Sequence, residues 1–274
     1  DAQESRGLGD VYKRQVPFLQ APDGWPTSLE NLNYFSMTKE TELQLRAWAR
    51  EYHCIRFIEN DPVQFPHRYS LKQDIEISGL LTALMSFGNR KQILKKAEEL
   101  HRLMGDSPHR YVLSRRWTQD FLPTNRNSFY RMLSYADFYG FFARLYDAYS
   151  CFGSLEDALL QYPGIPMERL CAFLEVSAKS PQKKLNMFLR WMVRRDDRGV
   201  DFGLWRSIPM SALYLPLDLH SGDVARALGL LARRQNDWRA VEEITAVLRT
   251  FDPEDPVRYD FALFGAGMDG FLKG

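Results

Sequence analysis

Apolar residues recur at intervals of three and four along most of this chain, and that spacing constrains the fold more than any other feature. In residues 90–104 the apolar side chains share one helical face, while lysines and glutamates occupy the other. The inward-facing residues of this segment are Ile93, Leu94, Ala97, Leu100 and Leu103. No segment sustains the alternation of apolar and polar residues that marks a half-buried strand. The pattern predicts an all-α fold, with at most one or two short strands, near 200–205 or 212–217.

Helix boundaries follow from the positions of prolines, glycines and capping residues. We expect helices at 38–58, 70–87, 90–104, 107–114, 126–134, 137–151, 154–161, 166–175, 181–195, 218–232, 237–250 and from about 257. Residues 1–15 show neither period and are interpreted as a foreign or disordered segment, and residues 16–37 carry prolines typical of an irregular arm. The domain proper is therefore predicted to be a single unit over 16–274.

Composition excludes several classes of protein. The 274 residues are nearly neutral, with 36 Lys and Arg against 35 Asp and Glu, so attraction to nucleic acid would have to be local. Cys54, Cys151 and Cys171 are far apart and odd in number, which argues against a disulfide framework, a zinc site or an iron–sulfur cluster. We expect a cytoplasmic protein with no membrane segment, no metal and no organic cofactor. Nucleotide-binding loops and the metalloprotease and hydrolase signatures are absent from the sequence.

Positive charge is concentrated in residues 179–206, where eight lysines and arginines face three aspartates. Two interpretations stay open. The segment could be a solvated helix face balanced by acidic neighbours, or it could be a strip that contacts phosphates, with Arg190 and Arg194 among its residues.

Lys183 and Lys184 lie in the first turn of the helix expected at 181–195. The helix dipole disfavours a cation there, and two adjacent ammonium groups repel each other. Both effects lower the pKa of an amine, as a nucleophilic lysine requires. Further along, the apolar stretch Leu215-Pro216-Leu217 leads to Asp218 at a helix start, where the residue either caps the helix or presents a carboxylate to a cleft.

These two features carry a resemblance. PLDLHSGDVARALGL resembles the aspartate-bearing segment of helix-hairpin-helix DNA glycosylases, and SPQKKLNMFLRWMVRRDDRGVDFGLW resembles the lysine-bearing segment of the archaeal 8-oxoguanine glycosylase branch. FIENDPVQFPHRYSLKQDIEISGLLTALMSFGNRKQIL and DPVRYDFALFG extend a similarity to a bacterial family of conserved hypothetical proteins assigned to that superfamily. The resemblance implies two helical subdomains flanking a cleft, at roughly 70–165 and at 16–69 plus 166–274.

The resemblance also implies roles for individual residues. Lys183 would be the nucleophile, with Lys184 as the alternative, and Asp218 the catalytic carboxylate. Asn89, in the turn Phe87-Gly88-Asn89-Arg90, would fill the gap left by an extruded base. The remaining implied DNA contacts are Arg90, Arg190, Arg194 and His220, and the implied base pocket consists of Phe261, Phe264 and Trp191.

This sequence departs from the superfamily in two respects. The glycine-bearing hairpin that usually precedes the lysine, and that holds a phosphate, is replaced here by VSAKSPQKK. The iron–sulfur cysteines of the endonuclease-like branch are also missing. The hairpin must therefore be reshaped or absent.

The resulting hypothesis is a monomeric DNA glycosylase and AP lyase that removes a damaged base, an oxidised purine in the first instance, from duplex DNA through a lysine Schiff base. The alternative hypothesis is a non-catalytic helical module that binds DNA or RNA. A structure can discriminate between them, because the enzyme requires the Lys183 amine and the Asp218 carboxylate to face the same cleft.

Overall fold

A computed structural model describes residues 29–178 and 180–271, with side chains from residue 39 onward. The expectation for residues 1–15, residues 16–28 of the arm expected at 16–37, and the position of Lys179 lie outside the described residues. The rest of that arm is helical, because the helix expected from residue 38 already begins at Leu29, so the expectation of an irregular arm is wrong for residues 29–37. Contacts divide the chain into two units, 1–42 and 43–274. The packing and the site described below belong to the second unit.

The described chain is mostly helical. Its α-helices are α1 (Leu29–Tyr52), α2 (Arg56–Glu59), α3 (Lys72–Met85), α4 (Arg90–Met104), α5 (Pro108–Leu113), α6 (Trp117–Asp120), α7 (Tyr135–Cys151), α8 (Leu155–Leu159), α9 (Pro166–Leu174), α10 (Lys183–Val193), α11 (Leu219–Ala227), α12 (Trp238–Phe251) and α13 (Asp260–Met268). Single 3-10 turns occur at Pro62–Gln64, Pro66–Arg68, Met210–Ala212 and Pro256–Tyr259. The prediction of an all-α protein is thus confirmed for its secondary structure, while the glycosylase-type arrangement stays a prediction.

The predicted helix at 126–134 is wrong, because these residues form a small antiparallel hairpin. Strands β1 (Ser128–Tyr130) and β2 (Leu133–Ser134) pair with Ser128 opposite Ser134. Arg131 at the turn has a φ of 52°, which a right-handed helix does not allow. The hairpin is closed by the Ser128 hydroxyl, which donates to the Arg131 carbonyl at 2.6 Å. Local backbone geometry has prevailed here over the apolar spacing.

The two places where strands were expected, 200–205 and 212–217, belong to no sheet among the described residues. Their backbone groups bond to helices instead of to another strand. Phe202 and Trp205 donate their amides to the carbonyls of Trp191 and Met192 at the end of α10, at 2.8 and 2.9 Å. Leu215 donates its amide to the Thr245 hydroxyl at 3.1 Å. The prediction of strands at these positions was therefore wrong.

The apolar side chains of residues 43–274 form two hydrophobic clusters. The larger cluster surrounds α3, whose residues from Asp74 to Met85 are all buried, and it includes side chains of α4 to α10. Gly79 lets α10 approach α3 closely, since a Cβ there would lie 3.2 Å from Met192 Cε. The smaller cluster joins the end of α1 to α11, α12 and α13. The buried apolar residues of the described chain between Met167 and Leu213 belong to the larger cluster. The expected subdomains at roughly 70–165 and at 16–69 plus 166–274 stay a prediction.

None of the described helices combines the length and the apolar character that crossing a lipid bilayer requires.

Candidate active site

Lys183 and Asp218 are in direct contact. The Nζ atom of Lys183 lies 2.7 Å from Oδ2 of Asp218, with about a third of the lysine side chain exposed and the aspartate side chain 14% exposed. Lys183 is the first residue of α10, and Asp218 immediately precedes α11. The contact therefore joins the starts of two helices that are distant in sequence. The two residues face the same cleft, as the enzyme hypothesis requires.

Asp218 is held by the helix that it caps. Its Oδ1 accepts hydrogen bonds from the backbone N–H of Ser221 at 2.9 Å and from the Ser221 hydroxyl at 3.0 Å. Burial by itself would raise the pKa of Asp218, but the adjacent Lys183 ammonium and the Ser221 bonds outweigh it and hold the pKa below its ordinary value. Capping and presentation to a cleft are therefore both realised, one by each carboxylate oxygen.

The cleft around this pair has a volume of about 390 Å³. It is lined by residues of the segment after α2, the turn between α3 and α4, the start of α10, the start of α11 and helix α13. The sequence-predicted residues that line it are Lys183, Asp218, Asn89, Arg90, Arg190, His220, Phe261 and Phe264. The structure thus brings most of the expected site into one cavity.

Aromatic rings form one side of the cleft. Phe264 lies between two cations, with its ring centroid 5.8 Å from the Arg90 guanidinium carbon and 6.0 Å from Lys183 Nζ. Phe57 packs edge-on against Phe261 and Phe264, at centroid distances of 5.3 and 6.3 Å. Phe57 was missed by the sequence reasoning, because it lies in the last part of a segment assigned only to the core.

The turn at 87–90 is supported by the hairpin β1–β2. The Tyr130 hydroxyl donates to the Phe87 carbonyl at 2.5 Å. Gly88 has a φ of 97°, and a Cβ at this position would collide with the Arg131 guanidinium. Asn89 is exposed, and its side chain accepts from the Gln92 amide at 3.3 Å as the cap of α4. The hairpin β1–β2, which was not predicted, therefore stabilises the turn at 87–90, which was predicted.

Lys184 has a different environment from Lys183. Its Nζ lies 4.6 Å from the ring centroid of Phe87, and no carboxylate bonds to it among the described residues. Burial lowers the pKa of Lys184 from its ordinary value. The structure leaves Lys184 outside the lining of the cleft, so the lysine paired with Asp218 is Lys183.

Arg190 and Arg194 were expected in an exposed phosphate-contacting strip, and for these two residues that expectation is wrong. Arg190 is 3% and Arg194 4% exposed. Arg190 bonds to Asp201 at 3.2 Å and to Asp260, and Arg194 bonds to Asp201 at 3.0 Å and to Asp255 at 2.9 Å. The aspartates that balance these arginines come largely from distant parts of the chain, which a local charge count cannot reveal.

The prediction that Trp191 belongs to the base pocket is also wrong. Its side chain is fully buried in the larger hydrophobic cluster, on a face of α10 that does not line the cleft. The carbonyl of Trp191 accepts from the Phe202 amide at 2.8 Å, which fixes the extended chain against the helix. Trp191 is therefore a core residue.

Two aspartates of the cleft were not anticipated as site residues. Asp61 is 9% exposed, and burial raises its pKa. Asp260 is 7% exposed; burial raises its pKa to about 6, with the charge of Arg190 opposing the shift and that of Asp218 adding to it. The sequence analysis assigned Asp61 only to the Asn60-Asp61-Pro62 segment that ends a helix. Nothing in the sequence distinguishes Asp260 from the other acidic residues of the last segment.

A cluster of metal-binding side chains lies behind the cleft. His53, Asp196 and Asp201 have ligand atoms within 4.8 Å of one another. The Nη1 atom of Arg194 lies 3.0 Å from Asp201, 3.6 Å from Asp196 and 3.4 Å from Nε2 of His53. The positive charge that these carboxylates need is supplied by the guanidinium, and the arrangement is that of an ion-pair network.

Comparison with known proteins gives one match. No curated protein and no solved structure is similar to this chain. One protein family matches residues 61–175 and 166–269, which is most of the sequence. The chain belongs to the family described as Protein of unknown function (DUF2400).

Proposed function

We propose that this protein is a DNA glycosylase and AP lyase that removes a damaged base, in the first instance an oxidised purine, through a Schiff base on Lys183. The observation that carries the proposal is the 2.7 Å contact between Lys183 Nζ and Asp218 Oδ2 in a cleft with aromatic walls. Lysine nucleophiles need a neighbouring group that accepts a proton, and a stabilised carboxylate at hydrogen-bond distance can do this.

The first step breaks the bond between the sugar and the base. Lys183 gives a proton to Asp218, and its neutral Nζ forms a bond to C1′ of the sugar. The bond from C1′ to the base breaks, and the base leaves with the electron pair and takes up a proton. That proton is the one that Asp218 accepted from Lys183, and the regenerated Asp218 carboxylate, whose pKa is held below its ordinary value, stabilises the positive charge on the sugar.

The second step cleaves the strand. The amine nitrogen loses one proton, which the ring oxygen takes up as its bond to C1′ breaks, and the nitrogen forms a double bond to C1′, which gives a protonated imine and a free 4′-hydroxyl group. Loss of a proton from C2′ then drives elimination of the 3′ phosphate, and water releases the sugar fragment and regenerates the lysine. No redox equivalent is consumed in either step, so Lys183, Asp218 and water suffice.

The rest of the cleft supports binding of an extruded base. Phe57 and Phe264 present ring surface against which a base can stack. The turn bearing Asn89 and Arg90 is exposed at the rim, together with His220. These groups suit a nucleic acid with one base removed from its stack.

The alternative is a helical module that binds DNA or RNA without chemistry. It is favoured by one observation, the dual role of Asp218, since a carboxylate that caps α11 and pairs with a lysine would be retained for structure alone. In that case Lys183 would be a positioning residue and would form no bond to a sugar.

Borohydride trapping distinguishes the two functions. The purified protein is mixed with duplexes that carry either 8-oxoguanine or an abasic site, and the reductant converts any imine into a permanent protein–DNA adduct. We expect an adduct with the wild-type protein, none with Lys183→Gln, and a strongly reduced yield with Asp218→Asn. Lys184→Gln is the matched control, because it removes the adjacent ammonium without touching Asp218. DNA binding with no adduct on either duplex would favour the binding module.

A further inference from the structure

Asp61 and Arg90 both line the cleft, and they form no ion pair with each other. Burial raises the pKa of Asp61 and is the largest effect on it. The hydrogen bond from the Val63 amide and the positive charges of Arg190, Arg90 and Lys183 act in the opposite direction and lower this pKa. Yet no ion pair within 4 Å joins Asp61 to any cation in the part of the chain that the structure describes. A carboxylate and a guanidinium that share a cavity but do not touch leave space for something between them.

Asp61 has unused capacity as a hydrogen-bond acceptor. Its Oδ1 accepts from the backbone N–H of Val63 at 3.0 Å, which fixes the side chain at the start of the 3-10 turn Pro62–Gln64. No other partner bonds to this carboxylate among the described residues. Asp61 is nine-tenths buried and lines the cleft. The second carboxylate oxygen of Asp61 is not among the fully buried atoms that lack a partner, so it is open to the cleft and can accept a hydrogen bond from the N–H group of a ligand.

Arg90 has unused capacity as a donor. Its guanidinium packs over the ring of Phe264, 5.8 Å from the centroid, and has no carboxylate or carbonyl partner within the described ranges. A guanidinium held against an aromatic ring in this way presents its N–H groups along the edge of the ring. It can therefore donate to a carbonyl oxygen of a group stacked on the same wall.

We propose that Asp61 and Arg90 together read a lactam edge, an N–H beside a C=O, on the purine that enters the cleft. Asp61 accepts from the N–H, and Arg90 donates to the carbonyl oxygen. Hypoxanthine and guanine carry this edge at N1 and C6, and 8-oxopurines carry it at N7 and C8, whereas adenine carries neither. This inference rests on the proposed function for the identity of the ligand as a base, and it adds the chemical class of base selected.

Binding to uncleavable duplexes tests the proposal separately from catalysis. Each duplex carries a 2′-fluoro nucleotide, which resists cleavage of the glycosidic bond, opposite a tetrahydrofuran spacer that removes differences in base pairing. The probes form two matched pairs: hypoxanthine against 1-methylhypoxanthine, and 8-oxoadenine against adenine. We expect the lactam-bearing member of at least one pair to bind about tenfold tighter, as a hydrogen bond to a charged group would give.

Asp61→Asn is expected to bring this ratio close to one, because its amide can still accept from Val63 but no longer offers an anionic acceptor. Arg90→Gln should also reduce the ratio. Glu59→Gln is the matched control, since Glu59 is exposed two residues away and does not line the cleft. A melting temperature close to that of the wild type would show that Asp61→Asn still folds.

Each outcome has a definite meaning. A lactam preference that Asp61→Asn removes supports the inference, even if borohydride trapping fails and the protein proves to be a binding module. Equal binding within both pairs by the wild-type protein overturns it, even if an adduct forms on abasic DNA and the proposed function stands. A preference that survives in Asp61→Asn overturns it too. Failure to bind any duplex contradicts both proposals together.

Discussion

The Nε atom of Arg194 lies 2.9 Å from the Asp255 carboxylate, and this bond ties the end of α10 to the segment that enters α13. Both residues are buried, and Arg194 also bonds to Asp201 at 3.0 Å. Behind Arg194, the His53 ring stacks on Phe261 with centroids 4.2 Å apart. The ion-pair network thus packs against Phe261, which is one of the aromatic residues on the side of the cleft. The bonds of this network therefore help to fix the position of the Phe261 ring.

Replacing Arg194 by methionine should destabilise the protein by about 3–5 kcal/mol, because Asp201 and Asp255 would lose the cation that compensates their burial. Urea unfolding measures the change. Arg198→Met is the control, since that side chain is 45% exposed and its loss should cost less than about 0.5 kcal/mol. A similar cost for both variants would show that the buried network contributes little to stability.

The sequence predicted the long elements of the fold because their apolar spacing is local information. Helices α4 and α10 begin and end within two residues of the expected positions. Asp218 caps α11, which is one of the two roles that the sequence predicts for it. The hairpin at 128–134 escaped prediction because Phe129, Tyr130 and Leu133 also suit a helical spacing. The positive φ of Arg131 distinguishes the hairpin from a helix, and arginine is not a residue type that indicates a positive φ.

The site was predictable where a role depends on one residue and its immediate neighbours. Lys183, Asp218 and the turn around Asn89 were predicted in this way, through the resemblance and through helix-start positions, and they line one cleft; their roles in catalysis and binding stay predictions. Asp61, Phe57 and Asp260 were not predicted, because their importance arises only when distant segments meet in the cleft. The prediction that Arg190 contacts phosphates was wrong for the same reason, because its partner Asp260 lies 70 residues away and cannot be inferred from the local charge.

Stability should fall as the pH is lowered from 6.5 towards 4, and His101 should contribute much of this loss. Burial lowers the pKa of His101 to about 4, although its bond to Ala97 opposes the shift. Its Nδ1 donates to the Ala97 carbonyl and its Nε2 accepts from the Ser78 hydroxyl, both at 2.7 Å, which fits a neutral ring. The unfolded chain binds a proton at a higher pH than the folded chain, so the stability present above pH 6.5 is lost between 6.5 and 4, by roughly 3 kcal/mol.

Urea unfolding at several pH values, with wild type and His101→Gln compared, isolates this contribution from that of the carboxylates. The difference in free energy between the two proteins should shrink as the pH falls through this window. A pH-independent difference for His101→Gln would contradict the assignment.

The proposed function predicts that Gly88→Ala weakens DNA binding as well as folding. An alanine at a φ of 97° is strained by about 1–3 kcal/mol, and its Cβ would also displace the Arg131 guanidinium. Chemical denaturation and duplex binding by fluorescence anisotropy measure the two effects. Gly105→Ala serves as control, because Gly105 also has a positive φ, 67°, but a Cβ there meets nothing within 4 Å. Equal losses of DNA affinity for the two variants would indicate that the turn at 87–90 has no special role in binding.

Lys183→Arg separates chemistry from structure at the central pair. Arginine keeps a cation beside Asp218, and the partial exposure of Lys183 leaves room for the larger head group, so the free energy of unfolding should change by less than about 1 kcal/mol. A guanidinium stays protonated and cannot attack C1′, so the yield of borohydride-trapped adduct on abasic DNA should fall at least about 1000-fold. DNA affinity measured in parallel should stay within about threefold of the wild type, because the charge is retained. An adduct that persists in Lys183→Arg and disappears in Lys184→Arg would reassign the nucleophile to Lys184, whose pKa is lowered by burial against Phe87.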